Sequence, residues 1–242
     1  MAADTMIQPG ARLVLASTSP RRRDLLTRAL GEGGFDVIDP GVDDGQLRLG
    51  GGVSGGPGGG GAAPPGEWVR MLAYLKARAG AERLVREGHA RPQMWVLGAD
   101  TLCAHKGEIL GKPRDAADAR AMLARLMNDR HDVLTGAALI PALQSPSQAR
   151  GGIAGEKSLV DRAVSHLGPL TSEQLDSYIA SGQWAGKAGA YNLEERAAAG
   201  WPIRAEGDPT CVVGLPMVAI EPWLRAFRAP ADPRASLQGA AA

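Results

Sequence analysis

Cysteine is scarce in this chain. Cys103 and Cys211 are the two among 242 residues, and they form no CxxC pair. That speaks against a disulfide-stapled scaffold and a zinc ribbon, and fits a reducing cytoplasm. An excess of one charge is missing too: 27 Lys and Arg stand against 26 Asp and Glu, a net charge of +1 with both signs mixed along the chain. Such a surface is not a polyelectrolyte, so bulk nucleic acid and anionic membrane are not expected partners. No apolar run approaches the ~20 residues of a membrane helix. The start, MAADTMIQPGARLVLAS, has no basic segment followed by a long apolar run, so no secretory signal is expected. His89, His105, His131 and His166 show no HxxxH or HxH spacing, and each reads as a surface or strand-edge residue rather than a metal ligand. Ser17 and Ser19 lack a GxSxG setting, which disfavours a serine hydrolase. No internal repeat is apparent.

What the chain does have is LVLASTSPRRRDLL, residues 13–26. It reads as a buried strand, a Ser-rich turn and a helix that opens on three arginines. Ser19 suits the N-cap and Pro20 the first helical position. Arg21, Arg22 and Arg23 then crowd the positive end of the helix macrodipole, an unfavourable place for cations. An anion docked there removes the conflict, because backbone N–H groups, hydroxyls and guanidinium groups converge on a phosphate. The alternative is an exposed arginine cluster that solvates itself.

Strands and helices alternate along the rest of the chain. Strands are expected over 13–17, 35–39 and 94–100, and two long, antiparallel ones over 131–140 and 158–167. Helices are expected over 20–30, 67–87, 115–126 and 171–182, with a final core element at 211–220. Trp68, Met71, Leu72 and Leu75 give the second helix an apolar spacing. Asp115 with Asp118, and Thr171 with Gln174, are arranged as capping boxes. A turn is expected at Lys106-Gly107. The segment 50–66, GGGVSGGPGGGGAAPPG, has no side chains to pack and reads as a flexible loop insertion. The pattern predicts an α/β fold with a mixed sheet, a single domain over 11–228 and a flexible tail over 229–242.

Several residues could carry chemistry. Asp100 ends a strand, where open α/β sheets bind ligands; it suits a cation or a water, or is a plain turn residue. Lys112 in GKP could reach a phosphate or be a solvated loop lysine. Lys76 either points into a cleft or borders the apolar face of its helix. Asp43 and Asp44 suit Mg²⁺, or form a turn with Gly45. Lys187 and Gly189 could line a pocket or form a turn that holds Trp184 and Tyr191 in the core.

Seven motifs then occur in a familiar order: LASTSPRRRDLL, LAYLKA, LGADT, GEILGKP, HDVLTGAALI, SGQWAGKAGAY and VVGLP. Together they resemble Maf-like proteins over most of the chain. The resemblance implies a mixed, elongated sheet flanked by helices with a deep cleft, similar to inosine triphosphate pyrophosphatases. It also implies a cytoplasmic hydrolase that splits the α–β linkage of a nucleoside triphosphate, yielding the monophosphate and pyrophosphate. Asp100 matches the catalytic acid. Ser19, Arg21, Arg22, Lys76 and Lys112 match phosphate-contacting positions. Asp44 and Asp100 are the expected ligands of a divalent metal cation, Mg or Mn. Asp43-Asp44 stands where the family often has Glu. Arg21 and Thr101 resemble the branch acting on dTTP and UTP. Glu194 and GDPT (207–210) resemble the branch acting on 7-methylguanosine triphosphate. The expected partner is a nucleoside triphosphate, with dTTP or UTP favoured. Membrane and stable nucleic-acid complexes are not expected, and a homodimer is left open. The competing class is a non-enzymatic nucleotide- or nucleic-acid-binding regulator of cell division.

Overall fold

A computed structural model describes residues 7, 10–42, 64–142 and 155–228. Asp43, Asp44, nearly all of segment 50–66, residues 143–154 and the tail from residue 229 lie outside the described residues.

The described strands form one mixed sheet. They are β1 (Arg12–Ala16), β2 (Phe35–Ile38), β3 (Met94–His105), β4 (Glu108–Leu110), β5 (Asp129–Pro141), β6 (Lys157–Leu167) and β7 (Ile203–Glu206), in the order β2-β1-β3-β5-β6-β7 with β4 beside β3. The first three are parallel, and β5, β6 and β7 follow antiparallel. The helices are α1 (Pro20–Leu30), α2 (Pro65–Arg86), α3 (Ala116–Leu126), α4 (Ser172–Ala180), α5 (Leu193–Ala198), α6 (Pro209–Val213) and α7 (Met217–Leu224). The mixed α/β architecture is the expected one.

One feature of the pairing positions everything else. Along one edge of β3, β5 pairs from Trp95 to Ala104. The opposite edge is shared: β1 takes Met94–Gly98 and β4 takes Cys103–His105. Among the described residues, no strand pairs with 99–102 on that side. A gap therefore opens in the sheet where β1 ends and β3 runs on.

Helix α2 covers one face of the sheet at very close range. Two strand glycines allow it. A Cβ on Gly98 would stand 2.3 Å from the Ala73 carbonyl oxygen, and one on Gly136 would stand 2.4 Å from that of Val69. The buried face of α2 runs through Trp68, Val69, Leu72, Ala73, Lys76, Ala77, Gly80, Ala81 and Leu84, a helical stripe in which Ala73, Ala77 and Gly80 allow the close approach. Helices α1, α6 and α7 cover the opposite face through Leu25, Leu26, Val213, Leu215, Ile220 and Leu224. A second cluster, built on Leu123, Leu126, Leu175, Tyr178 and Trp201, packs α3, α4 and α5 around the far end of β3.

The structure corrects several sequence expectations. Ser19 occupies the N-cap of α1 but its side chain makes no cap hydrogen bond; the Ser17 hydroxyl accepts from the Ser19 N–H instead, at 3.2 Å. Helix α2 begins at Pro65, two residues before the expected start, so Pro65 and Gly66 are helical rather than loop. Strand β3 does not stop at Asp100 but continues to His105. The segment 211–220 divides into parts of two short helices, α6 and α7, broken at Gly214, whose φ is +124°. His105 and His131 are buried rather than on the surface. The other expected capping residues hold: Thr171 and Gln174 form a complete box, and Asp115 accepts from the Asp118 N–H.

Candidate active site

A cleft of about 730 Å³ occupies the gap between β1 and β4. Its floor is set by strand parity. Gly98 and Asp100 lie two apart on β3 and share the face toward α2, so the glycine that admits the helix also admits Lys76 to the acid. The Lys76 Nζ meets Asp100 Oδ1 at 2.5 Å, with both side chains buried. The second carboxylate oxygen, Oδ2, is buried and has no hydrogen-bond partner. A buried acceptor left so is costly, and it marks a place built for a ligand, a cation or a water.

Thr101 faces the other side of the sheet, and its hydroxyl is committed. Thr135 Oγ1 donates to the Cys211 carbonyl at 2.7 Å, so it can only accept from Thr101, 2.9 Å away. Thr101 in turn accepts from Arg22 Nη2 at 3.2 Å. The chain Arg22–Thr101–Thr135–Cys211 thus ties α1, β3, β5 and α6 together. Arg22 also donates through Nε to the Gly214 carbonyl (2.7 Å) and through Nη1 to Ser17 Oγ (3.3 Å). It clamps the cleft as well as lining it.

Of the three arginines, Arg21 and Arg22 line the cleft, and Arg23 is exposed outside it. Arg21 Nε is buried without a hydrogen-bond partner, a second orphan on a residue that lines the cleft. Ser19, Lys76, Lys112 and Thr101 line the same space. Seven expected site residues are therefore brought together: Ser19, Arg21, Arg22, Lys76, Asp100, Thr101 and Lys112. Glu194 is not; it is exposed on the first turn of α5, while its neighbours Asn192 and Leu193 line the cleft. Asp44 lies outside the described residues. Among these, no cluster of three or more His, Cys, Asp or Glu side chains could hold a metal by itself.

Asp39 and Asn192 are polar lining residues that sequence reasoning did not single out. Asp39 follows β2, the parallel neighbour of β1, and so projects from the same carboxyl edge as Ser17. Only the strand order could have revealed it. Asn192 was hidden because it serves as the N-cap of α5.

The far wall is rigid. Gly189 and Ala190 both adopt left-handed backbone, with φ of +69° and +68°. Such strain in Ala190 needs support. It comes from Tyr178 Oη, which donates to the Ala190 carbonyl (3.0 Å), and from the Gly189 N–H, which donates to the Gly111 carbonyl (3.1 Å). Lys187 sits on this wall, paired with Glu195. Cys103 lines the cleft too, but burial pushes its thiol up to about 12, so it remains protonated and is no nucleophile.

Behind the wall, Tyr191 Oη donates to Ser165 Oγ (2.8 Å) and meets His131 Nε2 at 2.5 Å. Burial, with a smaller push from His105, lowers His131 to about 4 from an ordinary 6.5. The unfolded chain therefore binds the extra proton between these values, and stability falls as pH drops through that window. A His131→Gln variant should lose less stability than wild type between pH 7.5 and pH 5, as read from urea midpoints. Equal losses would show that His131 does not titrate differently in the two states.

Fold and cleft together define a mixed α/β protein whose sheet opens on a cationic cleft around one buried acid. The sequence then places it: the profile described as Maf-like protein matches residues 12–227, and the chain belongs to that family. It is 38% identical over 222 residues to a dTTP/UTP pyrophosphatase of Salinibacter ruber, covering 91% of this chain and 93% of that one. It is 39% identical over 208 residues to a dTTP/UTP pyrophosphatase of Symbiobacterium thermophilum, covering 85% and 89%. Among the described residues, no helix is long and apolar enough to cross a membrane.

Proposed function

We propose that this protein is a nucleoside triphosphate pyrophosphatase acting on dTTP and UTP in the cytoplasm. The observation that carries the reading is the Lys76–Asp100 pair with its unpartnered carboxylate oxygen, set in a cleft lined by Arg21, Arg22 and Lys112. A binding module needs the cations but gains nothing from a half-satisfied buried acid. A triphosphate brings several negative charges, and these must be neutralised before a nucleophile can approach phosphorus. Lys76 holds one oxygen of Asp100, leaving the other to orient a water and take its proton. Attack on the α-phosphorus forms the new P–O bond, breaks the α–β anhydride in line and releases pyrophosphate.

The orphaned Asp100 Oδ2 also fits a divalent cation, which typically binds through one or two carboxylates and substrate phosphates. Asp100 and Asp44 would hold it, and such an ion supplies charge neutralisation and a more acidic bound water.

The pyrimidine reading has support beyond the relatives' names. The features that resemble the 7-methylguanosine branch stand off the cleft. Glu194 is exposed. Asp208 is spent on capping: it accepts from the Thr210 N–H (2.8 Å) and from the Val218 N–H (3.1 Å). The test is product release from dTTP, UTP, CTP, GTP and 7-methylguanosine triphosphate with Mg²⁺ or Mn²⁺. Pyrophosphate and monophosphate should appear first from dTTP and UTP. Release of orthophosphate alone would sink the bond assignment, and no release from any of them would favour the regulator.

A further inference from the structure

We propose that Asn192 selects the base by donating a hydrogen bond to a ring carbonyl of uracil or thymine. The proposal rests on the reading of the cleft as a nucleoside triphosphate site and adds a residue to it. Asn192 is buried and lines the cleft. Its Oδ1 accepts from the Glu195 N–H at 2.9 Å as the N-cap of α5. A backbone N–H can only donate, so the atom facing it must be the oxygen, and the amide cannot be flipped. The NH₂ group is thereby turned away from the helix. Among the described residues it has no protein partner, and it is not sealed off as a buried orphan. The residue lines the cleft, and its free NH₂ group offers donors there.

The surroundings suit a flat, weakly polar ring. Cys103 and Val133 are register partners on β3 and β5, and the Cys211 thiol packs on the Val133 carbonyl at 3.6 Å. Leu193 and Val212 complete this stretch of lining. An isolated donor at the edge of an apolar patch matches the 4-oxo group of uracil or thymine. It opposes the 4-amino group of cytosine, which is itself a donor. A polar site matched to one edge leaves buried groups unpaired when the wrong edge enters, and so discriminates strongly.

Two variants separate this role from the cap. Asp and Ser are as good as Asn at an N-cap, so Asn192→Asp and Asn192→Ser should melt close to wild type. Asn192→Asp keeps one oxygen on the Glu195 N–H and replaces the outward donor by an acceptor. The ratio of kcat/KM for UTP over CTP should fall at least about tenfold, and Asn192→Ser should bring it toward unity. Folded variants that both keep the wild-type ratio would overturn the assignment, as would a shift in Glu194→Gln with both Asn192 variants flat. If wild type releases pyrophosphate from no triphosphate, the reading of the cleft fails and the role of Asn192 with it. A wild type that turns over UTP while its ratio ignores Asn192 leaves the reading of the cleft intact and rejects only this residue.

Discussion

Replacing Asp100 by Asn is expected to abolish hydrolysis while a nucleotide still binds. The substitution keeps size but removes the charge and the basicity of the group that faces the water. Loss of a general base typically costs about 10²–10⁴-fold in rate. The change also breaks a buried ion pair, since Lys76 and Asp100 are paired at 2.5 Å inside the protein. Removing one partner of a buried pair is destabilising by about 3–5 kcal/mol, whereas removing both in favour of matching apolar groups is often neutral. The companion variant Lys76→Met with Asp100→Asn should therefore regain much of the lost stability. It should regain no activity. Measuring pyrophosphate release and urea midpoints for wild type, the single variant and the double variant decides the matter. Near-normal turnover by the single variant would mean that Asp100 is not the base. Recovery of turnover in the double variant would mean that the single one failed only by misfolding.

The chemistry of this site was more legible in the sequence than its geometry. The order of strands and helices could be read from apolar runs, capping residues and turns. The cationic set and Asp100 could be read from motifs. What escaped depended on residues far apart in the chain. The end of β3 was placed at Asp100 because a charge after an apolar run looks like a strand end. The strand continues because β5 pairs with it through Ala104, whose register partner, Asp132, lies far along the chain. The apolar spacing of Trp68, Met71, Leu72 and Leu75 finds the buried Trp68 and Leu72 but also takes in Met71 and Leu75, which are partly exposed, because long apolar side chains outweigh alanine in any apolar count. The buried stripe runs on through Ala73, Lys76, Ala77 and Gly80, where small size matters more than hydrophobicity. The Ser17 turn, the commitment of Thr101 and the direction of the Asn192 amide are hydrogen-bond facts, and composition does not encode them.

Gly98→Ala is expected to damage stability and activity together, because one close approach serves both. The new methyl carbon would stand 2.3 Å from the Ala73 carbonyl oxygen, 2.4 Å from the Ala77 nitrogen and 2.9 Å from the Ala77 Cα. All three are backbone atoms of α2, so no side chain can swing aside and the helix must move as a body. Overpacking a tight core costs typically about 1–3 kcal/mol, occasionally more, and contacts this short belong at the upper end. For a chain of this size, each kcal/mol lowers the melting temperature by roughly 2–4 °C, so a loss of at least about 6 °C is expected. The same displacement lifts Lys76, which lies between Ala73 and Ala77 on the helix, away from Asp100. A misplacement of about 1 Å in a catalytic constellation can cost on the order of 10²-fold in rate. Gly66→Ala is the control. It sits in the first turn of the same helix, and among the described residues a Cβ there meets only Val160 Cγ1, at 4.0 Å. Alanine is the better helix former, so this variant should melt at or slightly above the wild-type temperature. Equal melting temperatures for Gly98→Ala and wild type would show that α2 does not pack on β3 at this distance, and the placement of Lys76 against Asp100 would fall with it.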